Sequence, residues 1–592
     1  MIDTIVNSFD IWVHAQGIKS RTRVNSVENI SLEGISRLRE LILELAVRGK
    51  LVSQDPKEEP AIELIKKIEK AKEKLINEGK IKKQALLSKF TEDEIPFEVP
   101  KSWEWVGLQS LSIYIQRGKG PRYSLDGKVQ VVSQKCIQWS GFNLSLAKYI
   151  DDLSISDYQP ERFLVDDDLL WNSTGTGTVG RINVLKCIKS NTLVADSHVT
   201  VIRPIFINSS FLCKYLASPS IQKRIEPGSK NALVSGSTNQ VELNTSSVNS
   251  VLIPLPPLEE QHRIVAKVDE LMALCDKLEA EQFNNLKTHQ ALVKTLLETL
   301  TQAADANELQ AAWERMSAHF DTLFCTEDSI AQLKQTILQL AVMGKLVKQD
   351  PNDEPASALL KKIAISKKKL IKDGKIKKQD SLPEILSKEM PYLVPNNWEW
   401  CRLGEISLIS RGSSPRPKGD PRYFSNEVTE FNWITISDIT NFCKKNVLYK
   451  TREYLTKEGA PLSRYVDKDE FIIAVSGSTT GKCCITGIPG YIYDGLASVN
   501  FIDKAISNEY FLLYMMQYYQ YINTSVEGLF PNINTDFLKN LQVCIPPYSE
   551  QNRIVSKVDE LFALCEALSI KIRNSQELKV LLSKTIIEKS VQ

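Results

Sequence analysis

Two stretches of this sequence occur twice. Residues 38–56 (LRELILELAVRGKLVSQDP) match residues 333–351 (LKQTILQLAVMGKLVKQDP) at 13 of 19 positions. Residues 256–278 (PPLEEQHRIVAKVDELMALCDKL) match residues 546–568 (PPYSEQNRIVSKVDELFALCEAL) at 16 of 23 positions. This duplication constrains the fold strongly, because each copy should form the same supersecondary unit.

Two segments of about 150 residues lie between the repeated blocks, roughly 106–253 and 401–543, and they have diverged almost completely. We call them the first and second inserts. A duplicated frame that holds two unlike inserts predicts a scaffold that presents two different recognition surfaces.

The composition sets broad limits on the class of protein. The 592 residues are enough for several domains of the usual 100–200 residues. No apolar run reaches the roughly 20 residues of a membrane span, and no signal segment opens the sequence. The eleven cysteines include no CxxC pair, and the five histidines are widely spaced. We therefore expect a cytoplasmic protein with reduced thiols and without a metal cluster.

The charges of the chain are nearly balanced, with a formal net charge of +2. By count, residues 101–255 contain 16 Lys/Arg and 12 Asp/Glu, and residues 396–546 contain 15 and 16. Neither insert is strongly basic, so nucleic-acid binding would require positive charge that is local or supplied by partners.

The first repeated block is predicted to form two helices. Apolar residues recur at helical spacing over 38–48 and again over 60–78, and Gly49 and Gly79 mark the helix ends. The second copy repeats this pattern at 333–343 and 355–373.

The second repeated block is predicted to form a long helix behind each Pro-Pro pair. Its apolar residues step by four and three positions, as in a coiled coil. The two series are Ile264, Val268, Leu271, Cys275 and Leu278, and Ile554, Val558, Leu561, Cys565 and Leu568. Helices of about 40 residues span roughly 60 Å, more than a small core needs. Two ordinary amphipathic helices are the alternative, but duplication favours their pairing about a pseudo-twofold axis.

Both inserts are predicted to be mixed α/β, and four features follow in the same order in each. An Arg-Gly loop comes first, followed by a strand ending in polar residues, a Gly/Ser/Thr hairpin and a polar loop. Such loops on a rigid sheet suit contacts with base edges and phosphates, although any single loop fits an ordinary polar turn equally well. The features are RGKGPRY (117–123), VVSQKCIQWSG (131–141), WNSTGTGTVGR (171–181) and VSGSTNQVEL (234–243), and RGSSPRPKGDPRY (411–423), WITISDITNF (433–442), AVSGSTTGK (474–482) and LFPNINTDFL (529–538).

Three short sequences resemble catalytic motifs without completing them. GTGTVG (175–180) fits a dinucleotide fingerprint, but a strand is predicted after it where the pyrophosphate needs a helix. GSTTGK (477–482) is one residue shorter than a P-loop and is followed by Cys483 instead of Ser/Thr. IPPY (545–548) lacks the polar residue that precedes the prolines of an amino-methyltransferase site. No complete active site is predicted, so we do not expect an enzyme.

The frame motifs resemble those of the specificity (S) subunit of type I restriction–modification systems. They are GKLVxQDP, EPA, GKIKKQ and WEW in each helical repeat, and Pro-Pro-x-x-EQ-x-RIV-x-KVDEL in each long helix. The copy of GKLVxQDP ahead of the first insert resembles the EcoAI-like (type IB) subfamily. The resemblance covers residues 30–592 and is weak inside the inserts.

The resemblance implies a fold of two mixed α/β target-recognition domains joined by duplicated helical regions. These regions would form a long antiparallel coiled coil that spaces the domains. Each domain would read one half of a bipartite site on double-stranded DNA, and the frame would bind two methylation (M) and two restriction (R) subunits. S-adenosylmethionine, ATP and magnesium would be used by those partners and not by this chain. One adenine in each half-site would be methylated after base flipping.

The implied domain boundaries follow the repeats. They are an extension at 1–34, a first helical repeat at 35–99, recognition domain 1 at 100–255, a central helical region at 256–394, recognition domain 2 at 395–545 and a C-terminal long helix at 546–592. The central region would contain a long helix at 258–300 and the second repeat at 328–394.

The candidate DNA contacts are polar residues of the shared loops. In the first insert they are Arg117, Lys119, Arg122, Gln134, Lys135, Thr174, Thr176, Arg181 and Asn239. In the second insert they are Arg411, Arg416, Lys418, Ser437, Ser476, Ser478, Thr479, Lys482, Asn532 and Asn534. Because the inserts differ, the two half-sites should also differ.

Two other classes of protein compete with this interpretation. A methyltransferase fused to its own reader would bind S-adenosylmethionine as an isolated chain, and we expect no such binding. A coiled-coil adaptor that binds only proteins would show no DNA-dependent gel shift, with or without a methylation subunit.

Overall fold

The computed structural model describes residues 8–18, 30–84, 90–175, 177–229, 231–236, 241–304, 306–377, 381–477, 479–525 and 533–591. The chain forms two compact units. The first unit consists of residues 1–285 and 575–592, and the second consists of residues 286–574. Each unit therefore contains one insert and parts of both long helices.

The helices and strands up to the first long helix alternate along the chain. The helices are α1 (Phe9–His14), α2 (Glu33–Val47), α3 (Ala61–Asn77), α4 (Ser209–Leu216), α5 (Pro219–Gln222), α6 (Thr245–Asn249) and α7 (Leu258–Gln302). The strands are β1 (Gly17–Ile18), β2 (Ile30–Ser31), β3 (Glu104–Gly107), β4 (Ser112–Arg117), β5 (Tyr123–Ser124), β6 (Gln130–Val132), β7 (Ile137–Gln138), β8 (Gly141–Phe142), β9 (Lys148–Ile150), β10 (Leu169–Asn172), β11 (Ile182–Val184), β12 (Leu193–Ala195), β13 (Val199–Pro204), β14 (Val234–Ser235), β15 (Glu242–Leu243) and β16 (Leu252–Leu255).

The remaining elements include the second copy of the frame and the second insert. The helices are α8 (Ala306–Ser317), α9 (Phe320–Leu323), α10 (Glu327–Val342), α11 (Ala356–Lys372), α12 (Leu403–Ile406), α13 (Ile436–Asn441), α14 (Asn508–Ser525), α15 (Thr535–Asn540) and α16 (Tyr548–Val591). The strands are β17 (Glu399–Arg402), β18 (Ser407–Arg411), β19 (Phe424–Ser425), β20 (Asn432–Ile434), β21 (Cys443–Lys444), β22 (Val447–Leu448), β23 (Glu453–Leu455), β24 (Arg464–Val466), β25 (Phe471–Ala474), β26 (Cys483–Thr486), β27 (Gly490–Ile492), β28 (Leu496–Phe501) and β29 (Gln542–Ile545).

The glycine that ends the first helix of each repeat also contacts the later part of the frame. Gly49 has a φ of 66°, and a Cβ placed on it would lie 2.5 Å from the ring of Pro100 and 3.1 Å from Trp103. Gly344 has a φ of 70° and the same relationship to Pro395 and Trp398. The frame motifs GKLV and P…WEW are therefore parts of one packed junction in each unit.

The strand that opens each insert pairs with the strand that closes it. β3 and β16 are antiparallel, with Trp105 opposite Pro254, and β17 and β29 pair in the same way. An insert whose two ends lie side by side can diverge without moving the frame. This arrangement explains how two unlike sequences occupy one scaffold.

The long helices run through both units as α7 and α16. In the first unit, the beginning of α7 packs in a cluster with α2 and with Ile586 and Ile587 at the end of α16. In the second unit, Val293 and Leu297 at the end of α7 share a cluster with α10 and the beginning of α16. This order is that of an antiparallel pair, as predicted. Within the first unit, the apolar series that begins at Ile264 packs on α2, and within the second unit the series that begins at Ile554 packs on α10.

Each insert contains two packed sheets. In the first insert, the order β11-β10-β13-β4 forms an antiparallel sheet, and β12-β6-β9-β5 forms a second sheet. The cluster that includes Val132, Leu170 and Val201 fills the space between them. In the second insert, the corresponding sheets are β18-β28-β25-β26-β22-β21 and β19-β23-β20-β27-β24. The prediction of two sheet-containing mixed α/β domains is confirmed.

One local prediction was wrong. The β-rich run Phe431–Ile436 predicted a strand, but β20 ends at Ile434 and α13 begins at Ile436. The carboxylate of Asp438 accepts hydrogen bonds from the backbone N–H and the hydroxyl of Thr435, at 2.8 and 2.7 Å. This N-terminal cap stabilises a short helix in place of the strand.

Candidate nucleic-acid interface

Three polar loops of the first insert emerge where the strands of its antiparallel sheet end, on one side of that sheet. We call this side the sheet edge. β4 and β10 end at this edge, and β11 and β13 begin there. The register places Arg117 opposite Thr200, Asn172 opposite Val199 and Trp171 opposite Ile182. The loops that follow β4, join β10 to β11 and precede β13 are therefore neighbours, although up to 80 residues separate them in sequence.

The loop after β6 joins the same edge. β6 lies parallel to β12, with Val132 opposite Ala195, so both strands end together. Asn172 donates a side-chain hydrogen bond to the carbonyl of Gln134 at 3.0 Å, and Thr178 donates to its amide oxygen at 3.4 Å. The structure thus brings the predicted Gln134 loop and the Gly/Ser/Thr hairpin together.

Two predicted contact residues of the first insert use their guanidinium groups inside the protein. Arg117 forms an ion pair with Glu242 at 2.7 Å and donates to the carbonyl of Leu243 at 3.0 Å. Arg181 donates to Gln138 and to the carbonyl of Gly177, both at 2.8 Å. These arginines hold the loops in place, so much of their hydrogen-bonding capacity is already used.

The other basic candidates of the first insert are more accessible. Arg122 and Lys135 are exposed. The ammonium group of Lys119 lies 5.3 Å from the ring centroid of Tyr158 and 3.9 Å from the carboxylate of Asp157. Arg122 and Lys135 therefore provide exposed positive charge, whereas the charge of Lys119 is partly offset by Asp157.

Two polar pairs at this edge were not predicted from the sequence. Thr174 and the exposed His198 are hydrogen-bonded at 2.8 Å. The hydroxyl of Tyr123 donates to Asp196 at 2.7 Å, and burial together with this carboxylate raises the pKa of Tyr123. The polar run ADSH before β13 is the sequence signal that points to these residues.

The second insert repeats the arrangement with different side chains. Arg411 lies opposite Ala497, Ala474 opposite Leu496 and Ile473 opposite Cys483, so the loops again share one edge. Arg411 donates to the carbonyl of Asp494 at 2.8 Å, and the exposed Arg416 donates to its carboxylate at 2.9 Å. Lys418 is exposed.

Further candidates of the second insert surround α13 and the β25–β26 hairpin. Ser437 is hydrogen-bonded to Thr435 at 2.9 Å, and Lys482 donates to Thr440 at 3.1 Å. Ser476 and Thr479 are partly buried in the hairpin.

A lysine hairpin beside Lys482 was missed in the sequence. β21 and β22 are joined by Lys445 and Asn446, which have φ values of 48° and 59°. Lys444, Lys445 and Lys450 are exposed, and the Lys450 ammonium lies 4.7 Å from the ring centroid of Phe442. This group supplies local positive charge. The adjacent lysines of NFCKKN are the signal that would have found it.

Asn534 has a structural contact. Its side-chain oxygen accepts a hydrogen bond from the N–H of Phe537 at 2.7 Å and caps α15. Asn244, at the same place in the first insert, caps α6 through the N–H of Ser247 at 2.8 Å. The remaining candidates, Thr176, Asn239, Ser478 and Asn532, lie outside the described residues.

Neither a membrane helix nor a metal cluster is found in the part of the chain that the structure describes. No helix there is both long and apolar enough to cross a membrane. Within the same ranges, no group of three or more His, Cys, Asp or Glu could hold a metal ion. All eleven cysteines are free thiols.

Comparison with known proteins agrees with the frame and the inserts. The family described as type I restriction modification DNA specificity domain matches residues 122–288 and 395–578. The chain is 34% identical to the type I restriction enzyme EcoAI specificity subunit of Escherichia coli, over 99% of both chains. It is 35% identical to the EcoEI specificity subunit of Escherichia coli, over 99% of this chain and 98% of the relative.

A solved structure from work on complex assembly and conformational transition of the type I R-M system is 18% identical. It covers 84% of this chain and 99% of its own, with a TM-score of 0.47. The two curated relatives are specificity subunits, which are recognition components rather than catalytic ones. The chain therefore belongs to the type I restriction–modification DNA specificity family and resembles its EcoAI-like members along its whole length.

Proposed function

We propose that this chain is the DNA-recognition subunit of a type I restriction–modification complex, and that each insert reads one half of an asymmetric bipartite site. The observation that carries the proposal is the shared sheet edge. Equivalent loops meet there in both inserts, but they present different side chains, such as Thr174 and His198 in one and Arg416 and Lys482 in the other. Different donors and acceptors select different bases.

The size of the edge fits a short half-site. Four strands at a spacing of about 4.8 Å are roughly 14 Å across. Base pairs stack at about 3.4 Å, so this edge faces about four of them. A few bidentate contacts of about 1–3 kcal/mol each would provide the discrimination that such a half-site needs.

The candidate residues form two groups: residues whose side chains are bonded within the protein, and cations whose side chains are exposed to solvent. Arg117, Arg181 and Asn534 are engaged within the protein and position the loops. Exposed cations are suited to phosphates or base edges, and we assign this role to Arg122, Lys135, Lys418, Lys444 and Lys445.

The long helices are proposed to set the spacer. α7 contains 45 residues and α16 contains 44. Because both are continuous helices, the gap between the half-sites should be a fixed number of unread base pairs. The half-site centres should lie about one duplex turn apart.

The rest of the proposed complex supplies the chemistry. Two M subunits and two R subunits would bind the duplicated frame in the cytoplasm, within the domain boundaries given above. They would use S-adenosylmethionine, ATP and magnesium, and adenine would flip into the M subunit pocket.

Methylome sequencing of cells that express this chain with its partners tests the proposal. We expect a bipartite motif with unlike halves. Replacing residues 106–253 by the insert of a relative should change only one half, and replacing 401–543 should change only the other. A motif that changes in both halves after either swap would contradict independent reading.

A further inference from the structure

A tryptophan stands exposed at the tip of a short hairpin on the first insert. β7 and β8 pair with Ile137 opposite Phe142 and Gln138 opposite Gly141, which leaves Trp139 and Ser140 at the turn. The side chain of Trp139 is 56% exposed. Single apolar side chains are common on protein surfaces, so the support and the neighbours of Trp139 decide whether it forms a contact site.

The hairpin is held firmly, so the exposure of Trp139 does not come from a loose loop. Arg181 donates to the side chain of Gln138 at 2.8 Å, and Asn183 donates to its carbonyl at 3.0 Å. Gln138 itself donates to the carbonyl of Lys135 at 2.7 Å. Cys136 and Ile137 are completely buried beneath the turn.

The location of the hairpin connects it to the proposed DNA interface. Of its anchors, Arg181 closes the Gly/Ser/Thr loop just before the edge strand β11, and Asn183 lies within that strand. Trp139 therefore lies at one end of the row of loops that begins at Arg117.

The neighbours of Trp139 favour a nucleic acid over a protein partner. Lys135 and Ser140 are exposed and polar, and Gln138 is engaged by Arg181. An aromatic ring set among cationic and polar groups is suited to base stacking or to insertion at a base step. Lysine and serine, by contrast, are depleted in protein–protein interfaces.

We propose that Trp139 stacks on a base or inserts at a base step in the first half-site, and so positions the duplex on this insert. The inference rests on the proposed DNA recognition and extends it to a stacking contact. The corresponding hairpin of the second insert carries Lys445 and Asn446 at its tip. The stacking contact therefore belongs to one half-site only.

The test uses the chain assembled with its methylation subunits and a duplex that contains the motif. Trp139→Ala should weaken binding between about five-fold and 150-fold, as expected for loss of one stacked base. Trp139→Phe should restore most of the affinity. The matched control is Trp313→Ala, because Trp313 is 38% exposed on α8, a helix that belongs to neither insert.

Salt dependence separates stacking from charge. The slope of log affinity against log salt should be unchanged in Trp139→Ala, since no phosphate contact is removed. 2-Aminopurine placed along the first half-site reports directly on the bases. Its fluorescence should change on binding to the native complex and to Trp139→Phe but not to Trp139→Ala, whereas probes in the second half-site should respond equally to all three.

Three results would overturn the inference. Unchanged affinity in Trp139→Ala would show that the ring does not contact DNA. Loss of assembly with the methylation subunits would assign Trp139 to a protein interface. A native complex with no preference for any duplex would remove the proposed function itself, and the stacking contact with it.

Discussion

The indole of Trp103 donates a hydrogen bond to the carboxylate of Glu260, with 3.0 Å between Nε1 and Oε2. Gln54 donates to the other carboxylate oxygen at 2.6 Å. These three residues come from the frame motifs WEW, EQ and QDP. In the second unit, Gln349 donates to Glu550 at the same distance of 2.6 Å. The duplicated motifs therefore build one buried junction that fixes the start of each long helix.

Removing the donor of Trp103 should destabilise the first unit. Trp103→Phe keeps most of the packing but leaves one oxygen of a buried carboxylate without its donor. Loss of a hydrogen bond to a charged group costs about 1.5–3 kcal/mol. Urea unfolding and amide hydrogen exchange at the start of α7 measure the effect.

Trp105→Phe is the matched control, two residues further along the chain on β3. The indole nitrogen of Trp105 is buried and has no hydrogen-bond partner among the described residues. Its removal should cost less than removal of the Trp103 donor. Equal losses in the two variants would show that packing, and not the bond to Glu260, stabilises the junction.

The buried glutamates should make stability depend on pH. Burial raises the pKa of Glu260 above its usual value of 4.5, and burial raises that of Glu550 in the same way. Between pH 4.5 and the raised pKa of each glutamate, the folded state binds more protons than the unfolded state. The contribution of each glutamate to stability therefore falls as pH rises through this window.

Glu260→Gln should lack this dependence. The free energy of unfolding of the native protein, minus that of Glu260→Gln, should decrease as pH rises from 4.5 and level off above the raised pKa. Urea unfolding at several pH values measures the difference, and Glu550→Gln should reproduce it for the second unit. A difference that increases with pH would show that the hydrogen bonds outweigh the burial.

Alanine substitutions at two glycines should distinguish the cost of backbone strain from the cost of a steric clash. Gly49 and Gly79 have φ values of 66° and 70°, so an alanine is strained at either position. A Cβ at Gly49 would meet Pro100 at 2.5 Å, but one at Gly79 has no atom within 4 Å. We expect Gly79→Ala to cost about 1–2 kcal/mol and Gly49→Ala clearly more. Thermal unfolding measures both, and equal costs would exclude the contact with Pro100.

Much of the frame could be predicted because its signals are local. Apolar spacing and glycine stops predicted α3 and α11 closely, and also the ends of α2 and α10, but α2 and α10 begin at Glu33 and Glu327, earlier than predicted. The shared order of polar loops selected segments of interest, but it did not predict that they meet at one sheet edge. In contrast, β-branched residues suggested a strand at Ile436, where the Asp438 cap favours a helix.

The roles of individual site residues depend on contacts that are distant in sequence. Arg117 is paired with Glu242, 125 positions away, and nothing near Arg117 indicates that its charge is already used. In the sequence, Trp139 is one apolar residue in a segment of mixed polarity, and nothing there indicates that it is exposed. Its exposure depends on the hairpin that Arg181 holds through Gln138. Residue types identified loops that could contact DNA, but tertiary packing decides which of their side chains are free to do so.

Exposed lysines at the sheet edge should contribute to DNA affinity through charge. Lys135→Gln should weaken binding of the assembled complex to all duplexes and reduce the slope of log affinity against log salt by about one. Lys186→Gln is the control, because Lys186 follows the opposite end of β11 and pairs with Asp167. Filter binding over a range of salt concentrations measures both variants. Equal slopes for Lys135→Gln and the native protein would exclude a phosphate contact.

The two long helices should act together to set the spacer between half-sites. One heptad inserted after Asn285 in α7 and another after Asn574 in α16 would preserve the apolar seam of both helices. Seven residues add about 10.5 Å, which corresponds to about three base pairs. Methylome sequencing should therefore return the same two halves with a longer spacer. Insertion into α7 alone should shift one seam against the other and weaken specific binding. An unchanged spacer after the paired insertion would show that the helices do not determine the distance, whereas a change in either half would show that they also shape the reading surfaces.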